Sequence, residues 1–389
     1  MDMISNLPDN IIVFCILSLL TTKEAFATSI LSKRWTHLCH FVPKIDFTNI
    51  IVNSDESNSR FIQFVNSVLA SRDAVFSHFI NSFCLEIQYG NPNLAHLSIP
   101  SIVKWVNHVV ERRLEYLCLC LHVNNLPKFP ISTLGCKTLV TLKLRGFHLV
   151  GFSLPSIGLP SLRTLHLKNI EFTGIQGFML VLAGCPMLEN LRVSDIYFHE
   201  EEEDSLTIQE VKSFSFPKLT RAKVTRFWSS YFPMKALSKS EYLCIDAYWF
   251  EDFIYEVNQP YSNSPIFHNL THLQLRDSWD WVAQVLLHCP KVQHLELYQD
   301  PNGIPLTKNE QENWVEPEFV PECLLSCLGS CTIGDFSGLP VHLGLAKFIL
   351  KNSRILEIMI IWSKREQAEI ERKLSACPKA SAACELIVY

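Results

Sequence analysis

Residues 162–167 read LRTLHL. Leu165 and Leu167 are two positions apart, so in a β-strand their side chains point to the same face of the sheet. Thr164 and His166 alternate with them and point to the opposite face. This alternation predicts a short strand with one buried face and one solvent-facing side.

The pattern L-x-x-L-x-L, with some replacements of leucine, recurs along most of the chain. Copies begin at residues 114, 139, 162, 188, 219, 240, 270 and 292, and two more begin at 328 and 355. From 114 to 292 successive starts are 21 to 31 residues apart, and most gaps fall within the roughly 20–29-residue period of leucine-rich repeats. The sequence therefore predicts an α/β repeat fold, a leucine-rich-repeat solenoid whose parallel β-sheet has a solvent-facing concave side.

Segments between the predicted strands have helical periodicity and predict helices for the convex side. The helix candidates are residues 60–70, 102–110, 177–183, 279–287, 344–351 and 364–376. One inter-strand gap contains five consecutive acidic residues, Glu200–Asp204. This run predicts a solvated loop rather than a metal site, because adjacent carboxylates cannot all converge on one ion without a defined turn.

The N-terminal stretch Leu7–Leu38 has a different composition. Its run Ile11–Leu20 contains a single polar residue. Pro8 suits the first turn of a helix, and Thr22 and Ser32 are predicted N-caps of two further short helices. Three short helices with this many apolar side chains cannot bury them all within about 45 residues. The surplus apolar surface predicts a partner that covers it.

Five short motifs follow one another in this stretch. They are Leu7-Pro8-Asp9, Ile16-Leu17-Ser18, Thr22-Lys23-Glu24-Ala25, Thr28-Ser29 and Leu31-Ser32-Lys33-Arg34-Trp35. In this order they resemble the F-box of plant F-box proteins. The resemblance implies docking onto a Skp-type adaptor of a cullin–RING ubiquitin ligase. The residues expected to form or support the adaptor-binding surface are Leu7, Pro8, Ile11, Ile16, Leu17, Leu20, Leu31 and Trp35.

Three features depart from the F-box pattern. Six residues separate Asp9 from Ile16, one more than is usual in the family, and an extra residue rotates later helical positions by about 100°. Thr21 stands where a proline is usual, and Cys39 stands where a second tryptophan is usual. These departures leave open an alternative, a leucine-rich-repeat interaction scaffold with a degenerate F-box and no ligase role.

Near the C-terminus, residues 320–325, 345–354 and 384–386 resemble the FBD domain, which in plants follows an F-box and leucine-rich repeats. This unit is expected to cap the open end of the sheet, since a terminal repeat otherwise exposes its neighbour-facing surface. The predicted domains are an F-box at 1–48, a linker at 49–60, the solenoid at 61–319 and an FBD-like domain at 320–389.

The composition argues against a nucleic-acid-binding protein, a membrane-spanning protein and a disulfide-rich secreted protein. The chain has 389 residues, 48% of them hydrophobic, and a net charge of −5, which argues against general nucleic-acid binding. No apolar run approaches the roughly 20 residues of a membrane span. The 14 cysteines are irregularly spaced, so we expect a reducing compartment, the cytoplasm and/or the nucleus.

The sequence lacks the common motifs of catalytic chemistry. The chain has no G-x-S-x-G, P-loop or G-x-G-x-x-G motif. Cys323-x3-Cys327-x3-Cys331 and Cys118-x-Cys120 are interpreted as structural cysteines rather than metal ligands. We therefore expect a non-catalytic protein with no metal and no cofactor.

The solvent-facing positions of the predicted strands are rich in basic residues. On four successive predicted strands they hold six Lys or Arg and no Asp or Glu. The candidate target-binding residues are Lys143, Arg145, His166, Lys168, Arg192, Arg221, Lys223 and Arg276. One interpretation is an ordinary solvated face. The other is a basic stripe that binds an acidic or phosphorylated target segment, or an anionic small ligand.

The resemblance and the repeats together lead to one expected function. The chain is expected to be the substrate-recognition subunit of an SCF-type ubiquitin ligase, in which the F-box binds the adaptor and the repeats bind a target protein. The scaffold with a degenerate F-box is the alternative, and an enzyme is disfavoured because no catalytic constellation is present.

Overall fold

The computed structural model describes residues 6–74, 80–91, 94–151, 157–199, 214–227, 232–246, 265–276, 279, 282–299, 314–364 and 367–389. The chain divides into two compact units. The first comprises Met1–Leu188 and Arg192–Ser205, and the second comprises Glu189–Leu191 and Leu206–Tyr389.

The first unit begins with a small helical cluster. Its α-helices are α1 (Asp9–Ile11), α2 (Thr22–Ala27) and α3 (Lys33–Leu38). A π-helical turn, Ile12–Ile16, continues α1 directly, and 3-10 turns follow at Leu17–Leu19, Thr28–Ile30 and Cys39–Phe41.

A parallel sheet follows the helical cluster. Its elements are β1 (Lys44–Val52), α4 (Asp55–Ala74), β2 (Ser82–Tyr89), α5 (Ala95–Val110), β3 (Tyr116–His122), β4 (Thr141–Leu149), β5 (Thr164–Phe172), α6 (Ile175–Ala183) and β6 (Asn190–Phe198). From β1 to β5 each strand pairs in parallel with the next strand along the chain.

The second unit repeats this arrangement. Its elements are β7 (Arg221–Phe227), β8 (Tyr242–Asp246), β9 (His272–Arg276), α7 (Val282–Leu287), β10 (His294–Tyr298), α8 (Glu322–Ser326), β11 (Ser330–Phe336), α9 (Pro340–Asn352), β12 (Ile358–Ser363), α10 (Gln367–Ser375) and β13 (Glu385–Val388). From β7 to β13 each strand again pairs in parallel with its successor.

The repeated sequence pattern sets the register of the strands. Strands β3 to β11 each begin two residues after the start of an L-x-x-L-x-L copy, as predicted, including the two degraded copies at 219 and 240. Leu142 lies beside Leu165, and Leu144 lies beside Leu167. All four side chains are buried, so equivalent leucines of adjacent repeats stack into continuous apolar rows.

A left-handed residue near the end of several strands adds a further inward position. Gly146 has φ of 80°, and Asn169 and Asp195 have φ of 51° and 57°. Each interrupts the alternation as a bulge does, so the next residue, such as Phe147, points into the core as well. At position 146 only glycine fits, because a Cβ there would lie 2.2 Å from the carbonyl oxygen of Leu121.

The structure differs from the sequence-based boundaries mainly between the F-box segment and the repeats. The sheet begins at Lys44, inside the segment predicted as F-box. Residues 49–52 complete β1 and residues 55–60 form the first turns of α4, where the sequence predicted a linker. The acidic run Glu200–Asp204 lies outside the described residues.

Candidate adaptor and target surfaces

The N-terminal helices share one small apolar core. Its buried members are Ile12, Val13, Leu17, Ala25, Trp35, Leu38, Cys39 and Val42. Four half-buried side chains pack against this core, namely Leu7, Ile16, Leu20 and Phe26.

Arg34 connects the third helix to the start of the first. Its guanidinium donates to Asp9 Oδ1 from Nε at 2.8 Å and from Nη2 at 2.6 Å, and Nη2 also donates to the carbonyl oxygen of Leu7. The pair is partly exposed, so its Coulomb energy is small, and its main effect is to fix the orientation of the two helices.

The extra residue between Asp9 and Ile16 is accommodated by the π-helical turn. Within this turn the N–H of Leu17 reaches back to the carbonyl of Ile12, five residues earlier. A π-turn holds one more residue than an α-turn, so the residues that follow keep their orientation. The rotation of about 100° expected from an insertion in a regular helix is therefore avoided, and Leu17 remains fully buried.

Thr21 caps the second helix. The Thr21 hydroxyl accepts a hydrogen bond from the N–H of Glu24 at 3.3 Å, and Glu24 Oε2 accepts from the N–H of Thr21 at 2.9 Å. This reciprocal pair is a capping box, and the hydrogen bonds from Thr21 lower the pKa of Glu24.

The sequence-based assignment of Thr22 as the cap was wrong by one residue. Thr22 is buried, and its hydroxyl accepts from the N–H of Asp46 at 2.7 Å, which connects α2 to β1. Ser32 does occupy the N-cap position of α3, but its side chain makes no capping hydrogen bond.

Cys39 fills a position inside this core. Its thiol approaches the carbonyl oxygens of Ala25 at 2.8 Å and Trp35 at 3.0 Å. Burial raises the pKa of this thiol, so it stays neutral and can donate to these carbonyls. Cys39 therefore holds α2 and α3 together.

Several large apolar side chains of the N-terminal helices remain exposed to solvent. The exposed fraction is 59% for Phe14, 79% for Leu19, 89% for Ile30 and 63% for Leu31. Ile11 is exposed to a smaller extent. A cluster this small cannot cover all of its apolar side chains, and exposed apolar surface of this kind is typical of a protein-binding site.

Five of the basic candidate residues lie in the first unit, on the polar face of the sheet. Lys143 on β4 is the register neighbour of His166 on β5, and Arg145 is the neighbour of Lys168. Arg192 lies on β6. The Lys143 ammonium is 5.2 Å from the centre of the Tyr116 ring, and its hydrogen bond to Tyr116 raises the pKa of Lys143.

His166 adds no positive charge to this face near neutral pH. Burial lowers its pKa to about 4, and the cations Arg192 and Lys143 act in the same direction. Its Nε2 atom is buried and has no hydrogen-bond partner among the described residues. The expectation that His166 belongs among the cations is therefore corrected to a neutral, polar role.

The other three basic candidates lie in the second unit. The Arg221 guanidinium is 4.5 Å from the centre of the Tyr242 ring, a cation–π distance. Lys223 is the register neighbour of Cys244, and Arg276 is the neighbour of Asp246. An acid thus lies beside Arg276, and the field of the basic residues is weaker at this strand.

Comparison with known proteins gives matches in all three parts of the chain. The F-box domain model matches residues 4–45, and the FBD model matches residues 316–361. A model described as FBD-associated F-box protein At5g56370, LRR repeats, matches residues 102–212.

Whole-chain relatives agree with these matches. FBD-associated F-box protein At5g56370 of Arabidopsis thaliana is 29% identical over 100% of both chains. F-box/FBD/LRR-repeat protein At4g00160 of the same plant is 28% identical over 99% of this chain and 94% of its own length. F-box/LRR-repeat protein At4g14103 is 35% identical over 61% of this chain and 58% of its own. The relatives are plant F-box/FBD/LRR-repeat proteins.

The F-box residues selected from sequence differ in exposure. Pro8, Ile11 and Leu31 are exposed, whereas Leu17 and Trp35 are buried and can act only by supporting the fold. The three remaining residues, Leu7, Ile16 and Leu20, are half-buried.

Sequence reasoning missed three strongly exposed apolar side chains of the F-box, Phe14, Leu19 and Ile30. They lie beside motif residues rather than within the motifs. Only the irregular helical geometry shows which residues of the apolar run face solvent.

The described residues contain neither a metal site nor a membrane-spanning helix. No group of three His, Cys, Asp or Glu side chains is placed to hold a metal ion within those segments. None of the described helices combines the length and apolarity that crossing a membrane requires.

Proposed function

We propose that this protein is the substrate-recognition subunit of an SCF-type (cullin–RING) ubiquitin ligase. In this proposal the F-box binds a Skp-type adaptor, the repeats coil into a solenoid that binds a target protein, and other subunits transfer ubiquitin. The observation that carries it is the exposure of large apolar side chains on a packed F-box. These side chains are Ile11, Phe14, Leu19, Ile30 and Leu31.

The three departures from the F-box pattern, which are the extra residue before Ile16, Thr21 and Cys39, all fit into the folded F-box. This favours a functional F-box over a degenerate one. The extra residue forms a π-turn, Thr21 caps a helix, and Cys39 fills the core. A segment that had lost its partner would have no reason to keep a closed core beneath exposed apolar side chains. The alternative is a scaffold without a ligase role, and the experiments below distinguish it from the receptor.

Adaptor binding is tested with single substitutions in the full-length chain. Leu31→Asp and Ile30→Asp place a charge on the proposed surface without removing a buried side chain. We expect each to weaken binding of a purified Skp-type adaptor at least about tenfold, since central interface residues commonly contribute more than 1.4 kcal/mol. Ile51→Asp is the matched control, because Ile51 is 62% exposed on β1, outside the F-box helices.

A reconstituted ubiquitin-transfer assay distinguishes a substrate receptor of a ubiquitin ligase from a scaffold without a ligase role. Wild-type protein, adaptor, cullin–RING complex and ubiquitin-charging enzymes are combined with bound target protein. Ubiquitin transfer that is lost with Leu31→Asp supports the receptor. Unaltered adaptor binding by both F-box variants, or no binding by the wild type, contradicts the proposal and favours the scaffold.

For the target, we propose an acidic or phosphorylated protein segment, or an anionic ligand, bound by the basic residues of the repeats. In the first unit, Lys143, Arg145, Lys168 and Arg192 lie on one face of a parallel sheet. Adjacent strands are about 4.8 Å apart, so charges on neighbouring strands lie within the roughly 8 Å Debye length of physiological salt and their fields add.

Charge reversal of single basic residues tests whether the polar face of the repeats binds an anionic target. Arg192→Glu and Lys223→Glu should each weaken target capture, and the loss should be larger at low salt than at high salt. Lys137→Glu is the control, because Lys137 is exposed and lies outside the strands. If capture is the same for all three variants at both salt concentrations, the polar face is only a solvated surface.

We also propose that the protein acts in the cytoplasm and/or the nucleus. All described cysteines are free thiols, which is compatible with a reducing compartment. Imaging of the tagged full-length chain tests this, and a secreted pool would contradict it.

A further inference from the structure

Strand β3 presents two cysteines side by side on the polar face of the sheet. The Sγ atoms of Cys118 and Cys120 are 3.8 Å apart, and both side chains are half-exposed. In the register of the sheet, Cys118 lies between Cys84 on β2 and Lys143 on β4. Cys120 lies between Glu86 and Arg145.

The surroundings favour ionisation of one of the two thiols. The hydrogen bond with Cys118 lowers the pKa of Cys120, and the positive charges of Arg145 and Lys143 act in the same direction. Burial and the Glu86 carboxylate oppose this shift. The same interaction raises the pKa of Cys118, so Cys120 is the thiol of the pair that ionises more readily.

Most other described cysteines have the opposite environment. Cys185, Cys323 and Cys331 are fully buried, and burial raises the pKa of each to about 12. Reactivity of a cysteine follows its thiolate fraction and its exposure, and Cys120 combines a lowered pKa with a partly exposed side chain.

We propose that Cys118 and Cys120 form a dithiol that hydrogen peroxide oxidises to a reversible disulfide. The Cys120 thiolate attacks one peroxide oxygen, an S–O bond forms, and the O–O bond breaks. The departing hydroxide takes a proton from solvent and leaves as water. Cys120 is now a sulfenic acid, so its sulfur is oxidised and the peroxide is reduced.

Cys118 completes the reaction. Its sulfur attacks the Cys120 sulfur, the S–S bond forms, the S–O bond breaks, and the oxygen leaves as water with the proton of Cys118. Residues two apart on a strand have Cα atoms about 6.6 Å apart, near the upper limit of about 6.8 Å for a disulfide. On a regular strand their Cβ atoms are also farther apart than the roughly 3.5–4.5 Å of an unstrained disulfide, so closure requires a local distortion of β3 and gives a strained bond. Such a bond is readily reduced by cellular thiols, which restores the dithiol.

Closure also changes the charge of the polar face. After closure Cys120 can no longer ionise beside Arg145, so no thiolate can offset the positive field of Arg145 and Lys143. If those residues bind the target, as in the function proposed above, oxidation would strengthen the capture of an anionic segment. The oxidation itself does not depend on that function.

Peptide mapping tests the inference on the full-length protein. Samples are exposed to increasing hydrogen peroxide, alkylated, digested with trypsin and analysed by mass spectrometry. Residues 114–128 form one tryptic peptide with both cysteines, and residues 374–379 form a control peptide with half-exposed Cys377. We expect the first peptide to lose two hydrogens and become resistant to alkylation about tenfold faster than the control peptide is modified. Dithiothreitol should reverse the change.

Two substitutions assign the roles. In Cys118→Ser, a dimedone adduct should accumulate on Cys120, because the resolving thiol is absent. In Cys120→Ser, Cys118 should become no more reactive than Cys377. Thermal melting of both variants should match the wild type, since serine keeps the shape of each side chain.

Three results would overturn the proposal. The first is equal oxidation of the two peptides. The second is a cross-link between residues 114–128 and residues 73–104, which would pair Cys118 with Cys84 instead. The third is fast oxidation of Cys118 in the Cys120→Ser variant, which would show that Cys120 is not the attacking thiolate.

Discussion

At the residue scale, two apolar side chains of one F-box motif have different environments. Trp35 is 6% exposed and belongs to the core of the N-terminal helices, whereas Leu31 is 63% exposed. The resemblance alone gave both residues the same expected role. Their burial separates a residue that stabilises the fold from one that is available to a partner.

This difference predicts opposite effects of truncation to alanine. Trp35→Ala should lower the free energy of unfolding by about 3–5 kcal/mol, since it leaves a large cavity. Leu31→Ala should change it by less than about 0.5 kcal/mol while weakening adaptor binding. Denaturant unfolding and adaptor titration of both variants check this. A large loss of stability from Leu31→Ala would show that the exposed surface is part of the fold.

His342 predicts a pH dependence of stability. It is fully buried on α9, and the N–H of Ser337 donates to its Nδ1 atom at 3.3 Å. Burial lowers its pKa to about 4, with a further contribution from Lys364. The folded protein therefore holds His342 neutral at pH values where the unfolded chain, with a histidine pKa of about 6.5, binds a proton.

The free energy of unfolding should consequently be unaffected by His342 above about pH 7 and fall as the pH drops from about 6.5 toward 4. The contribution at pH 5 is of the order of 2 kcal/mol. Denaturant unfolding at pH 7.5 and pH 5 measures it. His342→Gln should reduce the difference between the two pH values, and His37→Gln, at an exposed residue, should not. Equal pH dependence in wild type and His342→Gln would contradict the assignment.

At the element scale, the π-turn of the F-box decides the effect of shortening the first helix. Val13 is buried in the core and Cys15 is exposed, and both lie in Ile12–Ile16. Deleting Cys15 should convert the π-turn to an α-turn and keep the order of the buried residues. Deleting Val13 removes a core side chain from the same turn.

We therefore expect the Cys15 deletion to melt within a few degrees of the wild type and to bind adaptor with similar affinity. The Val13 deletion should lower the free energy of unfolding by about 1–3 kcal/mol and weaken adaptor binding. Circular dichroism melting and adaptor titration compare the two. Stronger binding by the Val13 deletion would show that the extra residue displaces the helix instead of being absorbed.

Much of the sheet was predictable because two-residue alternation is a local property. Leu165 and Leu167 identify β5 without knowledge of any neighbour, and strands β3 to β11 follow the same rule. The copy predicted to begin at Ile355 was wrong by one residue, because β12 buries Met359 and Ile361 and leaves Ile355 47% exposed. The left-handed residues within these strands were not predicted, although Asn169 and Asp195 are of the types that tolerate this conformation. Strand β1 was missed because its apolar residues directly follow the F-box motifs.

The candidate site was less predictable than the fold. The exposure of Phe14 and Ile30 depends on tertiary packing, and an apolar run alone does not show which of its members face solvent. The charge state of His166 depends on burial and on Lys143 and Arg192, which are distant in sequence. Motif spacing identified the F-box, and only coordinates separated its core from its surface.

At the scale of the whole molecule, the C-terminal strands continue the second unit instead of forming a separate module. Leu295 on β10 lies beside Cys331 on β11, and Leu297 lies beside Ile333. These four side chains are at most 1% exposed. The Cys323 thiol on α8 also reaches the carbonyl oxygen of Leu286 on α7, at 4.0 Å.

Removal of residues 320–389 should therefore destabilise what precedes them. It leaves the backbone of β10 unpaired at one edge and uncovers apolar side chains such as Leu295, and exposed edges of this kind promote aggregation. We expect the truncated chain to be insoluble or to melt without cooperativity, as judged by size-exclusion chromatography and calorimetry. A milder change, Leu345→Ala in the full chain, should stay soluble and lose about 2–5 kcal/mol, since Leu345 is fully buried on α9. A soluble, monomeric truncation with a sharp melting transition would show that the C-terminal strands are an independent domain.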